Sequence, residues 1–115
     1  MEILLDRIVE ELNSRNIKTR FDEEDCIYFV SNIIPDVELK LYSTDDAIVA
    51  ENNFGETGHV LSFRDFVNAV HFWVIAKKRV SIWNDVTPDW KLVFDEFLDN
   101  YDLVSMRRIE EDLPF

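Results

Sequence analysis

The string Asp36-Val37-Glu38-Leu39-Lys40 holds the chain's best material for catalysis. Side chains alternate along a strand, so Glu38 and Lys40 share a face, where carboxylates can hold Mg²⁺ and a lysine can orient a water. Asp22-Glu23-Glu24-Asp25 gathers carboxylates as well. It lacks the alternating oxygen ligands and the glycine of a calcium loop, and reads as a solvated hairpin turn. His59 and His71 have no Cys or His partner at zinc-ligand spacing and read as an ordinary loop His and helix His. Cys26, the sole cysteine, opens an apolar stretch without basic neighbours and is expected to be a buried, inert thiol. There is no Gly-x-Ser-x-Gly and no His-Glu-x-x-His, and two glycines leave little means of cradling a phosphate. No cofactor and no metal site is expected.

Set in a helix-strand-strand-strand-helix order, Asp36, Glu38 and Lys40 resemble the PD-(D/E)xK nuclease pattern over about 40 residues. That resemblance implies a Mg²⁺-dependent nuclease. The family separates its first acid from the Glu-x-Lys by a turn and part of another strand, whereas Asp36 is here the second residue before Glu38. Asp22 or Asp25 could substitute by position, without motif support. An acidic body also repels a polyanionic substrate. The solvent face of an amphipathic strand is the better reading of the string.

The elements that would position these residues follow from periodicity. Leu4, Leu5, Ile8, Val9 and Leu12 recur at helical spacing, with Glu2, Asp6 and Glu10 on the opposite side and Asn13, Ser14 and Asn16 as stop signals. Strands are predicted over 17–21, 26–34, 37–42 and 47–51, separated by the polar turn 22–25, by Pro35-Asp36 and by the turn 43–46. A loop is predicted over 52–58. Ser62-Phe63-Arg64-Asp65 resembles a capping box opening a helix that reaches Arg79. Its main face is Phe63, Phe66, Val67, Val70, Trp73 and Val74. Phe72 and Ile75 lie nearly opposite, as expected of a helix held between the sheet and another helix. Thr87-Pro88 starts a last helix, with Trp90, Val93, Phe94, Phe97, Leu98 and Tyr101 inward. The tail 103–109 reads as an edge strand in preference to more helix. The expected fold is α+β: a three- or four-stranded antiparallel meander packed by an N-terminal helix and two C-terminal helices, with or without a final strand.

Composition bounds what such a domain does. The chain of 115 residues suits one domain, and 47% hydrophobic residues, nine of them Phe, can build its core. No apolar run approaches a membrane span, the N-terminus lacks the pattern of a signal peptide, and a lone cysteine fits a reducing compartment. A cytoplasmic protein is expected. The outlying number is charge: 24 acidic against 12 basic residues, a net of −12. Solubility needs only about 2–8 units in a small domain. Nucleic-acid phosphates repel such a chain and basic protein surfaces attract it.

The excess is patterned. Glu2, Asp6 and Glu10 form one helical stripe, Asp95, Glu96, Asp99 and Asp102 another, and Asp22, Glu23, Glu24, Asp25, Asp45 and Asp46 sit in turns. Carboxylates one helical turn apart are spaced at roughly 6 Å, near the ~7 Å between phosphates along a nucleic-acid strand. A binding protein whose carboxylates occupy a basic groove is expected, with a basic nucleic-acid-binding protein as partner, as a monomer or homodimer. In size, acidity and element order the chain resembles small phage anti-CRISPR and DNA-mimic anti-restriction proteins. That resemblance implies inhibition of a CRISPR or restriction nuclease. Immunity proteins and acidic secretion chaperones have a similar size and charge.

Overall fold

The computed structural model describes residues 2–31, 33–76 and 83–98. Helix α1 (Glu2–Ser14) buries Leu5, Ile8, Val9 and Leu12, the stripe read from sequence. It stops where Asn16 turns left-handed (φ 66°), a conformation asparagine tolerates better than most residues. The Asn16 N–H then reaches the Asn13 carbonyl at 3.2 Å and the Ile17 N–H reaches that of Leu12 at 3.0 Å. This Schellman closure satisfies two otherwise orphaned carbonyls and brings buried Ile17 against the helix it follows.

Five strands come next: β1 (Thr19–Asp22), β2 (Ile27–Val30), β3 (Leu39–Ser43), β4 (Ile48–Asn52) and β5 (Thr57–Val60). They pair antiparallel in the order β1-β2-β3-β4-β5, each with its neighbour in sequence. The α+β meander expected from sequence is present, with one strand more at its far edge. Strand β5 begins inside the segment read as loop. Its Thr57 and His59 are exposed and Gly58 carries no side chain, so only Val60 offers an apolar signal. Pairing with β4 and cover from α2 hold it in place instead. Trp73 Cζ2 lies 3.5 Å from where a Cβ on Gly58 would stand.

The second strand is also shorter than read, because Ile33 is buried beyond its end, in the connection to β3. Asn53 fastens that connection. Its side chain donates to the Asp36 carbonyl (2.9 Å) and accepts from the Glu38 N–H (3.0 Å). Between β4 and β5, buried Asn52 accepts from the N–H groups of Phe54 (2.9 Å) and Glu56 (3.1 Å) and donates to the Glu56 carboxylate (3.0 Å). Gly55 (φ 84°) completes this turn.

Helix α2 (Phe63–His71) starts at Ser62, whose hydroxyl accepts from the Asp65 N–H at 3.1 Å. The Asp65 carboxylate accepts in return from the Leu61 N–H at 2.9 Å. Its main face is buried as read, and it touches α1, β5 and α3. The helix continues as a π-helical turn, Phe72–Ala76. On the second apolar side Phe72 is 49% exposed and does not bury as expected, and the side chain of Ile75 lies outside the described ones. The part of this helix read from sequence over 77–79 lies outside the described residues. A short 3-10 turn (Trp83–Asp85) precedes α3 (Pro88–Leu98). The Thr87 carbonyl accepts the first bond of α3 from Lys91, while the Thr87 N–H donates to Ile33 at 2.9 Å. Trp90, Val93 and Phe94 are buried, and the Trp90 indole N–H reaches the Ser31 carbonyl at 3.4 Å. The tail 103–109 read as a strand lies outside the described residues. One face of the sheet thus carries the three helices and the core.

Candidate functional site: an acidic end around a groove

Meander topology decides where the acidic turns go. The β1–β2 and β3–β4 connections fall at the same end of the sheet, because each strand reverses the one before. Asp22, Glu23, Glu24, Asp25, Asp45 and Asp46 are therefore neighbours in space although the two turns are distant in sequence. Helix α1 runs back over β1 and β3, so its N-terminal half lies over this same end.

Each turn is built so that carboxylates can stay in solvent. Asp22 is the exception: its carboxylate accepts from the N–H groups of Glu24 (3.0 Å) and Asp25 (3.4 Å), which fixes the hairpin. Glu23, Glu24 and Asp25 are exposed. In the second turn Thr44 does the structural work. Its hydroxyl accepts from the N–H groups of Asp46 (3.3 Å) and Ala47 (3.1 Å) and donates to the Ala47 carbonyl (3.1 Å), leaving Asp45 and Asp46 exposed.

A groove of about 350 Å³ opens between the turns and α1. Its apolar wall is Leu5, Phe21 and Tyr28, and Asp6 and Asp45 stand in its lining; none of the described lining residues is basic. Phe21 and Tyr28 are opposed in register, with ring centroids 4.7 Å apart. Phe21 is 46% exposed: β1 is the edge of the sheet among the described residues, and none of their strands pairs with its other side. Cys26 also lines this groove. It is exposed, which overturns the expectation of a buried thiol. The residue closes the hairpin with φ 55°, outside β2, and that left-handed backbone takes its side chain out of the strand's alternation.

The other acidic residues separate from this end. Glu10 is exposed and lines a second groove of about 350 Å³ with Leu4, Ile8, Leu61 and Phe63. Glu2 begins α1. Asp95 and Glu96 are exposed on α3, and Asp99 and Asp102 lie outside the described residues. Glu96 is not a free carboxylate. Arg15 grips it with two bonds, Nε to Oε2 at 3.0 Å and Nη2 to Oε1 at 2.8 Å. That hydrogen bonding holds the Glu96 carboxyl below the usual carboxylate range. Arg15 follows the C-terminus of α1, so this pair sits at the end of the sheet away from the acidic turns.

In the Asp36, Glu38, Lys40 string the lysine already has partners on its own sheet. Asp36 and Glu38 are exposed, and their backbone is tied to Asn53. Lys40 faces the Glu51 carboxylate across the strand pair (3.9 Å) and lies 5.8 Å from the Phe29 ring, whose other cation is Arg20 at 4.4 Å. Tyr42 donates to Glu51 at 3.0 Å, and burial followed by this carboxylate pushes its phenol up. Among the described residues no three His, Cys, Asp or Glu side chains gather as metal ligands. His59 is exposed on β5, whereas His71 is buried, with its ring 5.2 Å edge-on from Phe94.

Sequence reasoning placed the acidic turns but missed Phe21, Tyr28 and Leu5 as the wall between them, and missed Arg15 as the partner of Glu96. Alternation marks Phe21 as inward-facing; that it ends half open depends on β1 being an edge. Comparison with protein-family models, with curated proteins and with solved structures returns no match. No helix among the described residues is long and apolar enough to cross a membrane.

Proposed function

We propose that this protein is a non-enzymatic binding inhibitor that lays its acidic end into the basic nucleic-acid-binding groove of a nuclease or other nucleic-acid-handling protein, in the manner of phage counter-defence DNA mimics. One observation carries the reading: two acidic turns and Asp6 meet around a groove with no basic residue among its described lining. Carboxylates held on tight turns present charge at fixed spacing, and preorganised charge lowers the ordering cost of association. A net of −12 adds long-range attraction for a cationic surface, so association is fast and sensitive to salt. Opposition of Lys40 by Glu51 and Phe29 favours this reading over a metal-dependent nuclease built on Asp36, Glu38 and Lys40.

Affinity capture from a bacterial lysate, at about 50 mM and about 500 mM salt, tests it. Basic nucleic-acid-binding proteins are expected on the column at low salt, released by added DNA or RNA. Retained proteins without a basic groove, or failure of nucleic acid to compete, would overturn the proposal. An immunity protein would instead capture one toxin at both salt concentrations.

A further inference from the structure

We infer that the groove between the acidic turns takes an arginine side chain from a basic segment of the partner protein. This rests on the reading above and goes further, naming the residue type and the place where it docks. The groove pairs an aromatic wall, Phe21 against Tyr28, with carboxylates at Asp6 and Asp45. Those are the two things a guanidinium uses at once: its flat face stacks on a ring while its edge donates to carboxylate oxygens. A lysine ammonium meets the charge but cannot lie flat on the ring while donating in a fork.

The chain binds its own Arg15 in the same way, and Arg20 shows the stacking half. Arg15 lies 4.6 Å from the Phe63 ring centroid and 5.1 Å from that of Phe97 while it grips Glu96 with two bonds. Arg20 lies 4.4 Å over Phe29. At Phe21 and Tyr28 the aromatic wall and the acid are present, and none of the described lining residues supplies a cation. Charge complementarity thus specifies a cationic occupant, and the half-exposed Phe21 ring selects arginine among cations.

Two dye-labelled, end-capped peptides of equal charge serve as probes, one alternating three arginines with glycine and the other three lysines with glycine. Fluorescence anisotropy at low salt is expected to show the arginine peptide bound about two- to fivefold more tightly, the range of a partly exposed cation–π contact. Phe21→Leu keeps apolar volume without a π face and should bring the two affinities together. Phe21→Ala is its companion, with thermal unfolding confirming that both variants fold. Saturating arginine peptide should also slow alkylation of Cys26, which lines the groove. Equal affinity for the two peptides, or an arginine preference that survives Phe21→Leu, overturns the arginine site and leaves the acidic-end reading standing. No binding of either peptide at low salt overturns both.

Discussion

His71 is the residue whose environment departs furthest from its ordinary chemistry. It is 2% exposed, and its Nε2 has no hydrogen-bond partner among the described residues. Burial lowers its pKa from 6.5 to about 4, because an imidazolium there would lose its hydration. The unfolded chain therefore takes up this proton at a higher pH than the folded one. The native state holds its full stability above pH 6.5 and loses it as pH falls toward 4. The loss reaches about 3 kcal/mol from this group alone, at 1.36 kcal/mol per unit. Denaturant unfolding of the wild type and of His71→Leu should thus diverge between these pH values, the variant showing the shallower dependence. At pH 7 the variant should be equal or more stable by about 1 kcal/mol, since an unpaired buried nitrogen is removed. Parallel curves would mean that His71 is protonated in the fold. None of this was legible in the sequence, where His71 is one polar position on a helix; burial against Phe94 comes from α3, packed from a distant part of the chain.

At the scale of elements, Arg15 is a polar link that touches all three helices, alongside the apolar core they share. It extends the C-terminal end of α1, bonds the Glu11 carbonyl at 3.0 Å, lies on Phe63 of α2 and Phe97 of α3, and pairs with Glu96. Its side chain is 22% exposed, so these contacts are partly shielded from water. Arg15→Ala should cost about 1–2 kcal/mol in denaturant unfolding, combining an exposed ion pair with cation–π contact. Arg15→Lys should recover only part of that, since a lysine cannot donate in a fork. Glu96→Gln should cost less than about 1 kcal/mol, because the stacking survives it. A full rescue by lysine would show that charge alone accounts for the contribution of Arg15. The helices themselves were readable: α1 from its apolar stripe, α2 from Ser62 and Asp65, α3 from Thr87 and Pro88. Strand β5 was not, because Thr57, Gly58 and His59 carry no apolar alternation and β4 supplies the template.

Across the whole molecule the acidity is unevenly placed, and that decides which carboxylates matter. Neutralising the turn end (Asp6→Asn, Glu23→Gln, Asp45→Asn and Asp46→Asn together) should weaken capture at low salt by about fourfold or more, since each lost contact counts for about 0.2–1 kcal/mol. The melting temperature should hold or rise, because like charges in proximity are relieved. Asp95→Asn with Glu96→Gln should leave capture near the wild-type level and cost stability through Arg15. The reverse ranking in a capture assay would move the binding face to α3. Asp22 is kept in both sets because its carboxylate fixes the hairpin through Glu24 and Asp25.

The sequence by itself determined the fold class, the net charge of −12 and the acidic residues' local settings, because periodicity, capping and turn chemistry act within a few residues. It also showed that Asp36 and Glu38 stand at the wrong spacing for the nuclease pattern. Only the tertiary structure decided which carboxylates meet. Two turns distant in sequence share one end of a meander, and α1 folds back to add Asp6. It also opened a groove on the edge strand, exposed Cys26 through a left-handed turn residue and committed Glu96 to Arg15. These are long-range results: they depend on which surfaces remain uncovered after the core has packed, and local pattern carries no record of that.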